Sequence, residues 1–204
     1  MNGVIRALGD KFRRLPGAIW YLAVGGVTSF VSLFALIGLL LVAAFCLIGV
    51  GIPALPEAFR VVRPLLSFER RRAAQYLGAP IVESYEPFTG GLRQRVTTVF
   101  TDPANRRDFA WLAAHGTTGL FIGTFAIGIP LGALNQLLIP AYWQAAPEGD
   151  VITFGFLVDS WPLAALSFLL AFPLIAVTLR LPAVARWQAS AARYLLGPAE
   201  GAVL

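Results

Sequence analysis

The sequence predicts an all-α integral membrane protein: four transmembrane helices arranged as two duplicated hairpins, each followed by a basic amphipathic cytoplasmic segment. Three observations carry that expectation. The 204 residues are 57% hydrophobic and only 13% charged, whereas a soluble domain is about a quarter charged. All sixteen Lys and Arg fall into four clusters: Arg6, Lys11, Arg13 and Arg14; Arg60, Arg63, Arg70, Arg71 and Arg72; Arg93, Arg95, Arg106 and Arg107; Arg180, Arg186 and Arg193. No basic residue lies between Arg14 and Arg60, or between Arg107 and Arg180. Basic residues beside membrane spans stay on the cytoplasmic side. Each apolar stretch should therefore leave the cytoplasm and return, with both termini inside. The formal charge of +5 then reflects this bias and contact with anionic lipid headgroups, not nucleic acid.

The first apolar stretch, 15–57, would be roughly 60 Å long as one helix, twice the thickness of the hydrocarbon core. A hairpin resolves this, with helices near 17–37 and 39–56 and Gly38 as a candidate turn; a re-entrant or interfacial second segment is the alternative. Gly49, Gly51 and Pro53 would kink the second helix. The first helix reads as an uncleaved span, because the apolar run is too long for a secretory signal. A third helix is expected over 109–140, a polar outer loop over 141–159 and a fourth helix over 160–181. Trp20 and Trp111 open their helices at the inner interface. Tyr142, Trp143 and Trp161 would form the outer aromatic belt.

The halves share text. Ala73-Ala74-Gln75-Tyr76-Leu77 precedes Pro80, and Ala191-Ala192-Arg193-Tyr194-Leu195 precedes Pro198. The whole reads as one membrane domain: a hairpin unit over about 13–80, a cytoplasmic connector over about 81–105, and a second unit over about 106–198. Both units start inside, so the repeat is parallel rather than inverted. The segments that close them carry Arg70, Arg71, Arg72 and Tyr76 in one, and Arg186, Trp187, Arg193 and Tyr194 in the other. Such helices lie at the membrane surface with arginines snorkelling to phosphates, and are candidates to relay motion inward. In the connector, Gly90-Gly91 suggests a turn between short strands. Asp102 reads as an N-cap with Pro103 at the first helical position.

No catalytic, cofactor or metal constellation emerges. His115 is the only histidine and Cys46 the only cysteine, which excludes multi-His and multi-Cys metal motifs and an intramolecular disulfide. His115, one turn into the third helix, is a polar residue facing the bundle or a proton-sensitive switch. Asn135 and Gln136 suit interhelical hydrogen bonds. Asp159 is either the N-cap of the fourth helix or part of a ligand site. In the second case Tyr142, Trp143 and Trp161 supply aromatic walls, and Glu148 and Asp150 add charge for a cation.

Taken together, these residues resemble the membrane sensor domain found at the N-terminus of many actinobacterial two-component histidine kinases. The resemblance rests on Gly51-Ile52-Pro53 after the first apolar stretch, Tyr76-Leu77-Gly78, Asp102-Pro103-Ala104 with Arg107-Asp108, and Ala192-Arg193-Tyr194-Leu195-Leu196-Gly197-Pro198. At the position before Arg107-Asp108 the family usually has an aromatic residue; this chain has Arg106. The resemblance implies a signal-input module of the bacterial inner membrane, with four spans and a short outer loop. It also implies a homodimer, coupled to a cytoplasmic kinase domain in cis or to a separate partner. The sequence to Leu204 contains no kinase catalytic region, so this chain is not expected to be an enzyme. A small transporter, or half of one built from parallel hairpins, is the alternative.

Overall fold

The computed structural model describes residues 2–83 and 85–198, with side chains from residue 9 onward. Arg6 of the first basic cluster and Leu204 therefore fall outside the described side chains. The elements are α1 (Asn2–Cys46), α2 (Leu55–Leu77), α3 (Leu92–Thr101), α4 (Pro103–Tyr142), β1 (Ile152–Thr153), β2 (Phe156–Leu157), α5 (Trp161–Thr178) and α6 (Leu181–Leu196). Among the described residues, three helical stretches are long and apolar enough to cross a membrane: Gly9–Cys46, Pro103–Tyr142 and Trp161–Leu196.

The expected first hairpin is absent. α1 passes through Gly38 without a break. The surrounding residues are mostly Leu, Ala, Val, Ile and Phe, and none caps a helix. One glycine costs a helix only about 1 kcal/mol relative to alanine, far less than leaving two helix ends with unpaired backbone groups in an apolar setting. The chain turns later. Gly49 takes φ +80°, its N–H donates to Cys46 O, and Gly51 N–H donates to Phe45 O, each at 3.0 Å. Pro56 then sits in the first turn of α2, where a missing N–H is tolerated. With α1 unbroken, the two-hairpin argument for both termini on one side no longer applies.

Two compact units divide the described chain: α1 through Trp20 with Thr124–Ala183, and Tyr21–Gly123 with the chain from Val184. In the first, Ile139, Val151, Val158 and Ala164 form a small core, against which Trp143, Phe156 and Leu163 pack. The outer loop is more ordered than its polarity suggested. β1 and β2 pair antiparallel, Ile152 opposite Leu157 and Thr153 opposite Phe156. Phe154 and Gly155 make the reversal at positive φ. Gln136 donates from Nε2 to Thr153 Oγ1, and Asn135 Oδ1 accepts from Tyr142 at 3.0 Å. Neither amide makes the interhelical bond that was expected. Ser160, not Asp159, is the N-cap position of α5.

In the second unit, α1 beyond Tyr21 and α4 up to Gly123 run antiparallel. Gly26 faces Gly123, Ser29 faces Gly119, and Leu33 faces Gly116. A Cβ on Gly123 would stand 2.5 Å from the Gly26 Cα, so glycine is what permits this approach. On α6, Ala185, Ala189, Ala192 and Leu196 are buried, a stripe at helical spacing. The short strands expected around Gly90-Gly91 are replaced by α3. Its threonine hydroxyls donate to carbonyls four residues earlier, as Thr97 does to Arg93 O at 2.9 Å. That satisfies the hydroxyls inside a helix, a setting that β-branched residues enter less readily than straight-chain ones. Asp102 caps α4 as expected, accepting from Ala104 N–H at 2.9 Å. Its second oxygen takes Glu86 N–H at 3.1 Å.

Candidate functional site: a buried ionic network on α2

Arg70 and Arg72 of α2 do not snorkel. Glu69, Arg70 and Arg72 are 0%, 4% and 8% exposed; Arg71 alone of the triplet reaches the surface. Residues 69, 72, 73 and 76 share one helical face and 66, 70, 73 and 77 the adjacent one. Leu66 and Ala73 are fully buried, so packing those faces carries the charges inward. Charges taken from water must be paired, and the pairing defines two clusters.

In the first, Arg72 donates from Nη2 to Glu69 Oε2 and from Nη1 to the backbone carbonyl of Tyr21, both at 2.6 Å. Its guanidinium lies over the Tyr21 ring at 4.2 Å, and Tyr21 stacks against Tyr76 at 4.6 Å. His115 Nε2 is 3.7 Å from Glu69 Oε2 and 3.2 Å from Thr28 Oγ1. Trp111 stacks on the imidazole at 4.8 Å, 9° from parallel. Trp111 is buried and does not serve as the interfacial residue expected of it. The cluster joins α1, α2 and α4 through charge, hydrogen bonds and rings.

The second cluster centres on Arg70, which donates to Asp108 Oδ1 at 3.0 Å, to the backbone carbonyl of Leu196 at 2.9 Å and to the Tyr85 hydroxyl. Tyr85 in turn donates to Asp108 Oδ2 at 2.6 Å. Glu83 adds a longer ion pair to Arg70 at 3.6 Å. Arg63 lies over the Tyr85 ring at 4.1 Å and the Phe88 ring at 4.5 Å. Burial first, then the Asp108 carboxylate, push the Tyr85 phenol well above its ordinary value. The phenol therefore stays a donor to that carboxylate. One arginine thus ties α2 to α4, to the extended 80–89 segment and to the end of α6.

The other sequence candidates are less connected. Arg186, Trp187, Arg193 and Tyr194 lie on the exposed side of α6; there, Tyr194 accepts through its backbone carbonyl from Arg107. On the outer loop, Trp143 and Trp161 meet edge to face at 5.6 Å, and Tyr142 is bonded to Asn135. Glu148, Asp150 and Asp159 are exposed, and no ion pair or hydrogen bond draws their side chains to those rings among the described residues. Sequence reasoning missed Glu69, Tyr85 and Asp108 as site residues. Two signals pointed to them: Glu69 stands one turn before Arg72, and Asp108 is the only acid within α4, where an ionisable group in an apolar helix marks function.

Compared with known families, residues 21–196 match the family model Sensor, described as "Putative sensor". No curated protein and no solved structure matches the chain.

Proposed function

From the premise that this chain belongs to the Sensor family, we propose that it is the membrane-embedded signal-input module of a two-component histidine kinase. It would relay a stimulus to a cytoplasmic output domain outside this sequence. The observation that carries the reading is the bond from Arg70 to the carbonyl of Leu196. A C-terminal output domain would continue from α6, and Arg70 connects that helix end to α2, Tyr85 and Asp108. A shift of α2 against α4 therefore loads the exit of α6 directly. A stimulus drives such a shift only by binding one packing more tightly than the other.

In this reading the arginine-rich α2 and the end of α6 face the bacterial cytoplasm, by the bias of basic residues toward that side. The multi-pass domain sits in the inner membrane among anionic headgroups and works as a homodimer, with catalysis supplied by the kinase domain. Three crossings follow from an unbroken α1; four crossings with both termini inside would require it to turn. Reading the native coding DNA past codon 204 tests the proposal. An open frame into a dimerisation helix with a phosphorylatable histidine and an ATP-binding domain supports it, and a stop codon there removes the fused-kinase reading.

A transporter is the second reading, favoured by the buried Glu69 and His115, 3.7 Å apart. Ionisable residues so placed serve proton-coupled carriers. Substrate-dependent proton uptake into proteoliposomes, lost in Glu69→Gln, would support this reading over signalling.

A further inference from the structure

A cavity of about 480 Å³ lies within the second unit, walled by Leu39 and Ala43 of α1, Leu55 and Phe59 of α2, Val99 of α3 and Phe109 of α4. That volume is in the roughly 300–1,000 Å³ range of small-molecule sites. It belongs to neither ionic cluster. Its mouth is apolar: Leu47 and Phe100 line it and are 89% and 65% exposed. An occupant thus enters from a greasy environment rather than from water.

Two polar residues line the same cavity. Asn105 is 1% exposed. Its Nδ2 donates to Thr98 O at 3.3 Å and Val99 O at 3.4 Å. Those two carbonyl acceptors fix which end of the amide is nitrogen. Its Oδ1 is buried with no donor among the described protein atoms. Arg106 is exposed and, unlike Arg70, Arg72 and Arg107, makes no hydrogen bond or ion pair with the described side chains. An apolar chamber with an exposed, unpaired guanidinium beside it fits an anionic amphiphile. We infer that this cavity binds a single-chain anionic lipid from the bilayer. Its acyl chain lies among Leu39, Ala43 and Phe59, and its phosphate pairs with Arg106. The inference does not depend on the signalling reading, because binding alone tests it.

Cys46 lines the cavity and is the chain's only cysteine, so it serves as the reporter. The full chain in a neutral detergent is alkylated with N-ethylmaleimide alone or with one of four probes: lysophosphatidylglycerol, lysophosphatidylcholine, hexadecanol or inorganic phosphate. Lysophosphatidylglycerol is expected to slow Cys46 alkylation about tenfold more than any of the other three, a difference of about 1.4 kcal/mol. Arg106→Gln, a surface change that leaves the fold intact, is expected to abolish that preference. Ala43→Phe, which fills the chamber, is expected to remove lipid protection altogether. Equal protection by hexadecanol or lysophosphatidylcholine overturns the inference, as does protection by phosphate alone or none by any probe. An unchanged preference in Arg106→Gln also overturns it. In phosphatidylcholine vesicles, lysophosphatidylglycerol in the bilayer is expected to protect Cys46 where lysophosphatidylcholine does not; equal labelling in the two overturns the bilayer as the source.

Discussion

The guanidinium of Arg70 donates from Nε to the backbone carbonyl of Leu196, 126 residues further on and 2.9 Å away. The same group reaches Asp108 Oδ1 at 3.0 Å, and both side chains are almost wholly buried. Removing one member strands the other without water, which typically costs about 3–5 kcal/mol. Replacing both by apolar residues of similar volume removes the stranded charge. Arg70→Met and Asp108→Leu are therefore each expected to lower the thermal midpoint of the purified protein clearly. The pair Arg70→Met with Asp108→Leu should recover most of the loss. Additive losses in that double variant would show that the two groups do not act as a pair.

Tyr85 makes a narrower test of the same cluster. Its hydroxyl donates to Asp108 Oδ2 at 2.6 Å, and Tyr85→Phe deletes that donor while keeping the ring beneath Arg63. A buried carboxylate oxygen without its donor costs about 1–3 kcal/mol. Thermal unfolding should show a loss of that order, smaller than for Arg70→Met. An unchanged midpoint would mean the Tyr85 hydroxyl contributes nothing to holding Asp108.

The crossing of α1 and α4 depends on glycine in a way that alanine can probe. On Gly123 a Cβ would lie 2.5 Å from the Gly26 Cα, which is backbone and cannot step aside, whereas nothing stands within 4 Å of a Cβ on Gly128. Gly123→Ala should destabilise by about 1–3 kcal/mol, as overpacking does. Gly128→Ala should be neutral or stabilising by up to about 1 kcal/mol. Similar midpoints for the two variants would show that α1 and α4 do not approach closely at Gly26.

Part of this was legible in the sequence, and the failures have separate physical causes. The apolar runs over 109–140 and 160–181 announced the membrane-length stretches of α4 and α5, and Asp102-Pro103 announced the cap of α4 by its chemistry. Hydropathy cannot, however, say which side of a basic helix is buried. Arg70, Arg71 and Arg72 are adjacent and chemically identical. Only the partners brought by α1, for Arg72, and by α4, α6 and the 80–89 segment, for Arg70, send these two inward and leave Arg71 outside. The hydrogen-bond partners of Arg70 lie 15 to 126 residues away, beyond the reach of any local pattern. The outer-loop strands of two residues each are too short to show alternation.

The acids of the outer loop give a test of a different kind. Glu148, Asp150 and Asp159 are exposed, and surface changes of this sort usually alter stability by less than about 0.5 kcal/mol. Trp143 instead packs on the Ile139, Val151, Val158 and Ala164 core and against Trp161. Trp143→Ala should therefore cost several times more than alanine at all three acids, by thermal unfolding. A stimulus response that survives the triple alanine change, measured as phosphorylation in a kinase-fused chain, would dismiss a cation site there.

Gly38 decides between the two topologies of the first apolar stretch. In the unbroken α1 it is an interior helical residue, and a Cβ there meets nothing within 4 Å. Alanine should then stabilise the protein by up to about 1 kcal/mol, because glycine gives up more backbone entropy on folding. Proline should cost about 3 kcal/mol by removing a donor and striking the preceding turn. At a hairpin turn the order would invert: proline would be tolerated and alanine would gain nothing. Accessibility follows the same logic. Gly38→Cys, in a Cys46→Ala background, should react with a membrane-impermeant maleimide no faster than cysteines at Leu36 or Leu40. A sharp maximum of labelling at residue 38 would restore the hairpin, and with it the even number of crossings that the basic clusters first implied.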